Sequence, residues 1–204
     1  MQTPAPRDPE LILPRGRGVG YFSGVHASRD IRNLALIGFM GTGKSSVGRA
    51  LAAHFNFEFI DTDELIVHRG GKPITDIFAQ DGEPAFRELE RQIVTELAAR
   101  TSCVISTGGG LGANADHLAA LKTHSLTVCL WASPETIFER VRHSSHRPLL
   151  NNPDPLARIR ELLAQREGVY KQADLLIGTE LRNIKEVMHQ IIIHFEQVRG
   201  GAGR

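Results

Sequence analysis

Residues Gly38-Phe39-Met40-Gly41-Thr42-Gly43-Lys44-Ser45 fit the pattern G-x-x-x-x-G-K-[ST] at every fixed position and directly follow the apolar run Leu34-Ala35-Leu36-Ile37. This leaves the chain little freedom: a strand must lead into a tight loop whose N–H groups point inward at an anion, and a helix must begin on the lysine. Gly38 and Gly43 stand where a Cβ would obstruct that backbone. Lys44 would place its ammonium between the β- and γ-phosphates of a nucleoside triphosphate. The Ser45 hydroxyl would ligate Mg²⁺ at the start of a helix whose dipole favours the anion. Gly41, Thr42, Gly43, Lys44, Ser45 and Ser46 form the expected nucleotide-binding set. A chance match would arise in roughly one chain in a hundred of this length. The strand before the loop, and the helical spacing of Val47, Ala50, Leu51 and Phe55 after it, make chance a poorer account.

A chain of 204 residues suits one α/β domain with a real core and is short for two. With 24 basic and 23 acidic residues the net charge is +1, so no overall field recruits nucleic acid or an anionic membrane. Cys103 and Cys129 lie in separate strand-like stretches, which argues for buried, reduced thiols rather than a disulfide or zinc site. The 9 histidines show no metal-binding spacing; His143 and His146 flank a polar segment without carboxylate or thiol partners. No apolar run approaches the ~20 residues that span a bilayer, and the N-terminus lacks a secretory core, so a cytoplasmic location is expected by elimination.

Residues 1–33 carry Pro4, Pro6, Pro9 and Pro14 and a Gly/Arg-rich stretch at 15–20, which reads as a flexible extension without chemistry of its own. Its arginines lend some support to an organelle-targeting segment, but Asp8, Glu10 and Asp30 argue against one. Across 34–198, strands are expected at 34–38, 57–60, 103–106, 126–131 and 175–178. Helices are expected at 44–54, 83–100, 114–121, 134–142, 155–173 and 183–198, with a flexible tail at 199–204. Short apolar strands separated by helices imply a three-layer α/β/α fold around a parallel sheet, with ligands at the carboxyl ends of the strands.

Other candidate residues fall at those ends. Asp61 and Asp63 follow the strand Phe57–Ile60; on an extended segment they would share a face, one serving the metal and the other substrate hydroxyls. Asp63 could instead cap a helix that begins at Glu64. Arg87 and Glu90 lie beside the apolar stripe Phe86, Leu89, Ile93, Val94 and Leu97, where spacing alone suggests a surface ion pair of small value. Gly108-Gly109-Gly110 end a strand; three glycines exceed what a turn needs and suit a ligand lying against bare backbone. The polar, proline-bounded stretch 143–153 reads either as a solvated loop or as a mobile lid that would bring Arg147 over the phosphates. Arg166 and Tyr170, one turn apart, could be core-edge packing or an anion contact.

Taken together, the Gly38–Ser45 loop, Asp61-Thr62-Asp63, Phe86-Arg87-x-x-Glu90, the glycine triplet, Arg147-Pro148-Leu149-Leu150 and Arg166-x-x-x-Tyr170 resemble the shikimate kinases, in order and spacing, over residues 34–198. The resemblance implies the P-loop kinase fold with a central five-stranded parallel sheet and a mobile lid. It implies a monomer that uses ATP and Mg²⁺ to phosphorylate the 3-hydroxyl of shikimate. Asp63 would bind the ring hydroxyls near the attacking oxygen, Arg87 and Arg166 the carboxylate, and Gly108, Gly109 and Gly110 the ring through backbone. Arg147 would be the lid arginine, Arg142 would pack on adenine, and Asp61 would stand with Ser45 at the metal. Catalysis would rest on Lys44, Asp63 and Arg147. The chain departs from the family at Gln172, where a glutamate is common, and at Arg182-Asn183-Ile184, which lacks a proline many members carry near the adenine.

Two other readings remain: a related small-molecule P-loop kinase, such as one acting on gluconate, and an inactive sensor of nucleotide or shikimate. Residues 1–33 are too short and proline-rich for the helix-turn-helix that such a sensor would carry. Replacing Lys44 with alanine should abolish ATP turnover; retained activity in an ADP-release assay would refute the phosphate-loop reading.

Overall fold

The computed structural model describes residues 29–142 and 153–201. Arg147 and almost all of the stretch expected to form a lid lie outside the described residues, as do 1–28 and 202–204.

Strand β1 (Asn33–Ile37) is buried along its whole length. It pairs with β3 (Cys103–Ser106) on one side and β4 (Ser125–Trp131) on the other; β2 (Glu58–Asp61) lies beyond β3 and β5 (Leu175–Gly178) beyond β4. All four pairings are parallel, giving the order β2-β3-β1-β4-β5. Parallel neighbours need crossovers. The described helices are α1 (Lys44–Phe55), α2 (Thr62–Gly70), α3 (Ile74–Gln80), α4 (Gly82–Leu97), α5 (Ala115–Lys122), α6 (Pro134–Val141), α7 (Pro155–Tyr170) and α8 (Ile184–Gly201).

Side chains alternate across a strand, so β1 feeds two cores. Leu34 and Leu36 pack with Val47 and Leu51 of α1 and with Ile191 and Phe195 of α8. On the opposite face, Ala35 joins Phe86, Ile93 and Leu97 of α4, while Ile37 joins Ile137 of α6 and Ile159 and Leu163 of α7. These are the three layers expected from sequence. Because β1's two neighbours lead to opposite halves of the sheet, the loops after β1 and β3 part and leave a crevice at their carboxyl ends.

Helix α3 is not anticipated by the sequence, and α2 only through the alternative in which Asp63 caps a helix from Glu64. Helix α2 buries only Thr62 and Ile66, and α3 only Ile77, so neither carries a repeating apolar stripe that a periodicity reading could detect. Elsewhere the expected ends shift by a few residues: α4 stops at Leu97, α7 at Tyr170, and α8 runs to Gly201 through the start of the expected tail.

Arg29, ahead of the boundary placed at residue 34, is packed into the domain. Its guanidinium donates to both oxygens of Asp174, at 2.7 and 3.0 Å, and to the backbone carbonyls of Lys122 and Ser125. The Asp174 side chain is 1% exposed and also accepts from the Thr127 backbone N–H and hydroxyl. Burial alone would raise its pKa, but Arg29 and Thr127 outweigh burial and hold it below the ordinary value.

A depressed folded-state pKa contributes stability above the unfolded value, about 3.9 for aspartate, and that stability is lost as pH falls through the folded value. Arg29→Ala should therefore cost roughly 1.5–3 kcal/mol at pH 7. In thermal melts the gap from the parent should narrow below about pH 4; a gap independent of pH would refute the ionic account.

Candidate active site

The phosphate loop leaves β1 at Gly38, where φ is 131° and an added Cβ would stand 2.3 Å from the carbonyl oxygen of Leu130 in β4. Only glycine fits there, on both counts. Gly43, at φ 97°, forms the N-cap of α1. Lys44 is 8% exposed, and its Nζ donates to the carbonyls of Gly38 and Phe39, each at 2.9 Å. Thr42 Oγ1 donates to the same Phe39 carbonyl at 2.8 Å. The ammonium is thus held inside the loop, next to the N-terminus of α1, where an anion is favoured.

A cavity of about 490 Å³ opens over this loop, lined by the segment Gly41–Ser46 together with Asp61, Asp63 and Gly109 among others. The expectation that Asp61 and Asp63 share the face of an extended segment is corrected, because the strand ends at Asp61 and Thr62 already begins α2. Asp61 is the helix cap, the role considered for Asp63: its Oδ1 accepts from the Asp63 backbone N–H at 3.1 Å. Its Oδ2 accepts from the Ser45 hydroxyl at 3.1 Å, and Ser45 Oγ lies 3.3 Å from Ser106 Oγ. A carboxylate and hydroxyls beside a phosphate cradle are the hard oxygen donors that Mg²⁺ takes in few-ligand sites, so these residues fit that ion.

The glycine triplet gathers the remaining candidates. The Gly108 N–H donates to Thr62 Oγ1 at 2.8 Å, and a Cβ on Gly108 would stand 2.0 Å from Asp63 Oδ1. The aspartate therefore lies flat against bare backbone. A Cβ on Gly110 would meet Arg87 Nη1 at 3.2 Å and Glu90 Oε1 at 3.5 Å. The Gly109 carbonyl accepts from Arg166 Nη1 at 3.0 Å and from the Tyr170 hydroxyl at 3.4 Å. Tyr170 is buried, which pushes its pKa up to about 12, so it stays a neutral donor. Arg166 also lies over the Phe39 ring, 5.2 Å from its centroid. The packing and anion-contact readings of this pair thus merge: Tyr170 is core, and its carbonyl partner also holds a cation at the site.

Glu90 is buried, so its 2.7 Å bond from Arg87 is not the surface pair that spacing suggested. Burial raises the Glu90 pKa, with Arg87 opposing. Burial would lower the pKa of Arg87, but hydrogen bonds to Glu90 and Glu83 outweigh it and hold the guanidinium above its ordinary value. Arg87 is thereby a fixed cation.

Arg142 does not line the cavity; it caps α6 and pairs with Glu139 at 3.1 Å. Arg140 does line it, donating to the Gly41 carbonyl at 3.2 Å and to Thr179 Oγ1 and O at 3.0 and 2.7 Å. Arg182 and Ile184 complete that rim. Helical phase explains why Arg140 reaches the rim: it stands three residues after the buried Ile137, on its side of α6.

The family model described as shikimate kinase matches residues 40–196. The shikimate kinase of Thermodesulfovibrio yellowstonii is 40% identical over 171 residues, 84% of this chain and 99% of that protein. That of Deinococcus radiodurans is 42% identical over 159 residues, 78% of this chain and 81% of that protein. Among solved structures, shikimate kinase from Acinetobacter baumannii in complex with shikimate aligns with a TM-score of 0.76 at 31% identity, over 85% of this chain and 96% of that one. A gluconokinase from Sinorhizobium meliloti aligns at 0.55 with 19% identity, a likeness of fold alone.

If the Arg140 rim receives the nucleotide base, Arg140→Ala should weaken ATP binding about tenfold by calorimetry, the size of a lost cation–π contact. Arg142→Ala should leave it unchanged; the reverse ranking would restore Arg142.

Proposed function

The chain belongs to the shikimate kinase family, and we propose that it transfers the γ-phosphoryl group of ATP to the 3-hydroxyl of shikimate, giving shikimate 3-phosphate and ADP for chorismate and aromatic amino acid biosynthesis. The observation that carries this reading is the convergence of Asp63, Arg87 and Arg166 on one glycine triplet beside the phosphate loop. A cyclic triol with one carboxylate asks for those groups: guanidinium for the acid, a carboxylate and bare backbone for the alcohols.

In this reading Arg87 and Arg166 bind the acceptor's carboxylate and the backbone of Gly108, Gly109 and Gly110 supports the ring. Asp63 orients the attacking hydroxyl and takes its proton as the new P–O bond forms and the bond to ADP breaks. A loose transition state asks little of the nucleophile, so placement by Asp63 matters more than its basicity. Lys44 moves from the Gly38 and Phe39 carbonyls to the phosphates, where its charge offsets that on the transferred group. Arg147 would add a second cation. Ser45 and Asp61 would hold Mg²⁺, which when bound neutralises phosphate charge. Arg140, rather than Arg142, faces the base. The family resemblance is the ground for taking the protein to act as a monomer. No described helix is long and apolar enough to cross a membrane.

A gluconate-type kinase shares the fold but gives no reason for the paired arginines on the triplet. A sensor gives no reason for the complete phosphate loop with Asp63 beside it.

The decisive assay is ADP release from Mg·ATP with shikimate, quinate or gluconate. Release should depend on shikimate and be weak with the others; release with gluconate alone would overturn the acceptor assignment. Arg87→Ala should raise the KM for shikimate about a hundredfold, as expected on removing one partner of a desolvated charge pair, with the KM for ATP little altered. Equal losses for both substrates would sink the carboxylate role.

A further inference from the structure

Arg87 is bonded to two carboxylates, one more than is needed to balance its own charge. Its Nη1 donates to Oε2 of Glu90 at 2.7 Å, while Nε and Nη2 both donate to Oε1 of Glu83, at 3.2 and 2.8 Å. A guanidinium has five N–H groups, so these bonds leave at most two for a ligand. The two carboxylates are unequal partners. The Glu90 side chain is 2% exposed, and without Arg87 it would be a buried, uncompensated charge, which makes that bond costly to break. The Glu83 side chain is 63% exposed and lies one turn earlier, in the first turn of α4. An exposed i,i+4 pair of this kind contributes little and gives way readily. Glu90 fixes Arg87, whereas Glu83 only rests on it.

We propose that Glu83 is an internal competitor for the acceptor's carboxylate: it covers the Nε–Nη2 edge of Arg87 and is displaced into solvent when an acidic acceptor docks. This rests on the reading of Arg87 as the acceptor's anion site. Two carboxylates cannot hold one edge without strong like-charge repulsion, so docking exchanges an internal anion for an external one. The exchange lowers the net affinity for acids below what Arg87 and Arg166 would otherwise give, and its reversal helps the phosphorylated acid leave. A neutral acceptor takes no part in it. Glu83 also raises the Glu90 pKa, as expected of an anion shared around one cation.

Glu83→Gln in the full chain removes the charge and keeps the size. With ADP release as the readout, kcat/KM for shikimate relative to shikimate methyl ester should rise about two- to fivefold, the range an exposed ion pair can supply. A ratio that stays unchanged or falls would overturn the inference, including the case in which both acceptors shift together because the charge only steadies the start of α4. The two levels separate cleanly. Parent protein with no shikimate-dependent release would overturn the proposed function itself, whereas parent release with an unmoved ratio in the variant would overturn only the competitor.

Discussion

A loop that turns directly out of a fully buried strand must satisfy its own polar groups, and most of the site follows from how this one does so. The carbonyls of Gly38 and Phe39 face inward with no strand beyond them to pair with; Lys44 and Thr42 supply the donors. That arrangement requires the chain to pass within contact of the Leu130 carbonyl, which excludes any side chain at Gly38. It also stores the cation where phosphate would later need it. A lysine so buried is tolerable because carbonyl dipoles and the adjacent helix terminus surround it, and an arriving anion replaces those partners rather than adding to them.

The acceptor half solves a related problem with opposite charge. Glu90 is a buried carboxylate whose charge is offset chiefly by its bond from Arg87 and, through space, by Arg166. Arg166 is held differently, by the Gly109 carbonyl and the face of Phe39, neither of which neutralises it. Arg87 thus bonds two carboxylates, while Arg166 bonds a carbonyl and meets the Glu90 charge only through space. Phe39 links the halves, since its carbonyl belongs to the phosphate loop and its ring to Arg166.

Legibility in the sequence tracked how much each element depends on purely local chemistry. The phosphate loop was readable because its glycines and lysine answer to a backbone requirement that few other sequences meet. The strands were readable as short apolar runs buried on both faces. Helices α2 and α3 were not, since each buries a single aliphatic side chain and is held by tertiary contact rather than by pattern. Asp61 stands beside Ser45 at the end of its strand, as the sequence suggests, but Asp63 lies on a helix and not on the same extended segment, because nothing local announces that a strand ends and a helix starts within one residue. Arg87, Glu90 and Arg166 look like ordinary surface residues in isolation; their meaning lies in a glycine loop distant in sequence, which only the family resemblance supplied. The resemblance points to the end of α6 for the adenine contact through Arg142, whereas the described residue of that helix end that lines the cavity is Arg140, a matter of helical phase that a motif does not carry.

The Arg140 rim of the cavity rests on an edge of the sheet, and two arginines explain how. Strand β5 has four residues and one neighbour, so its own ladder gives it little hold. Just before it, Asp174 is tied by Arg29 and Thr127; just after it, Thr179 donates through both N–H and hydroxyl to the Trp131 carbonyl and accepts from Arg140. An edge strand clamped at both ends behaves as a fixed rail. Arg140 bonds at once to that rail and to the Gly41 carbonyl of the phosphate loop, so one side chain ties the rim of the cavity to the phosphate cradle. Arg29, outside the span the family model matches and outside the cavity lining, thereby clamps the residue that precedes the strand to which Arg140 is bonded through Thr179.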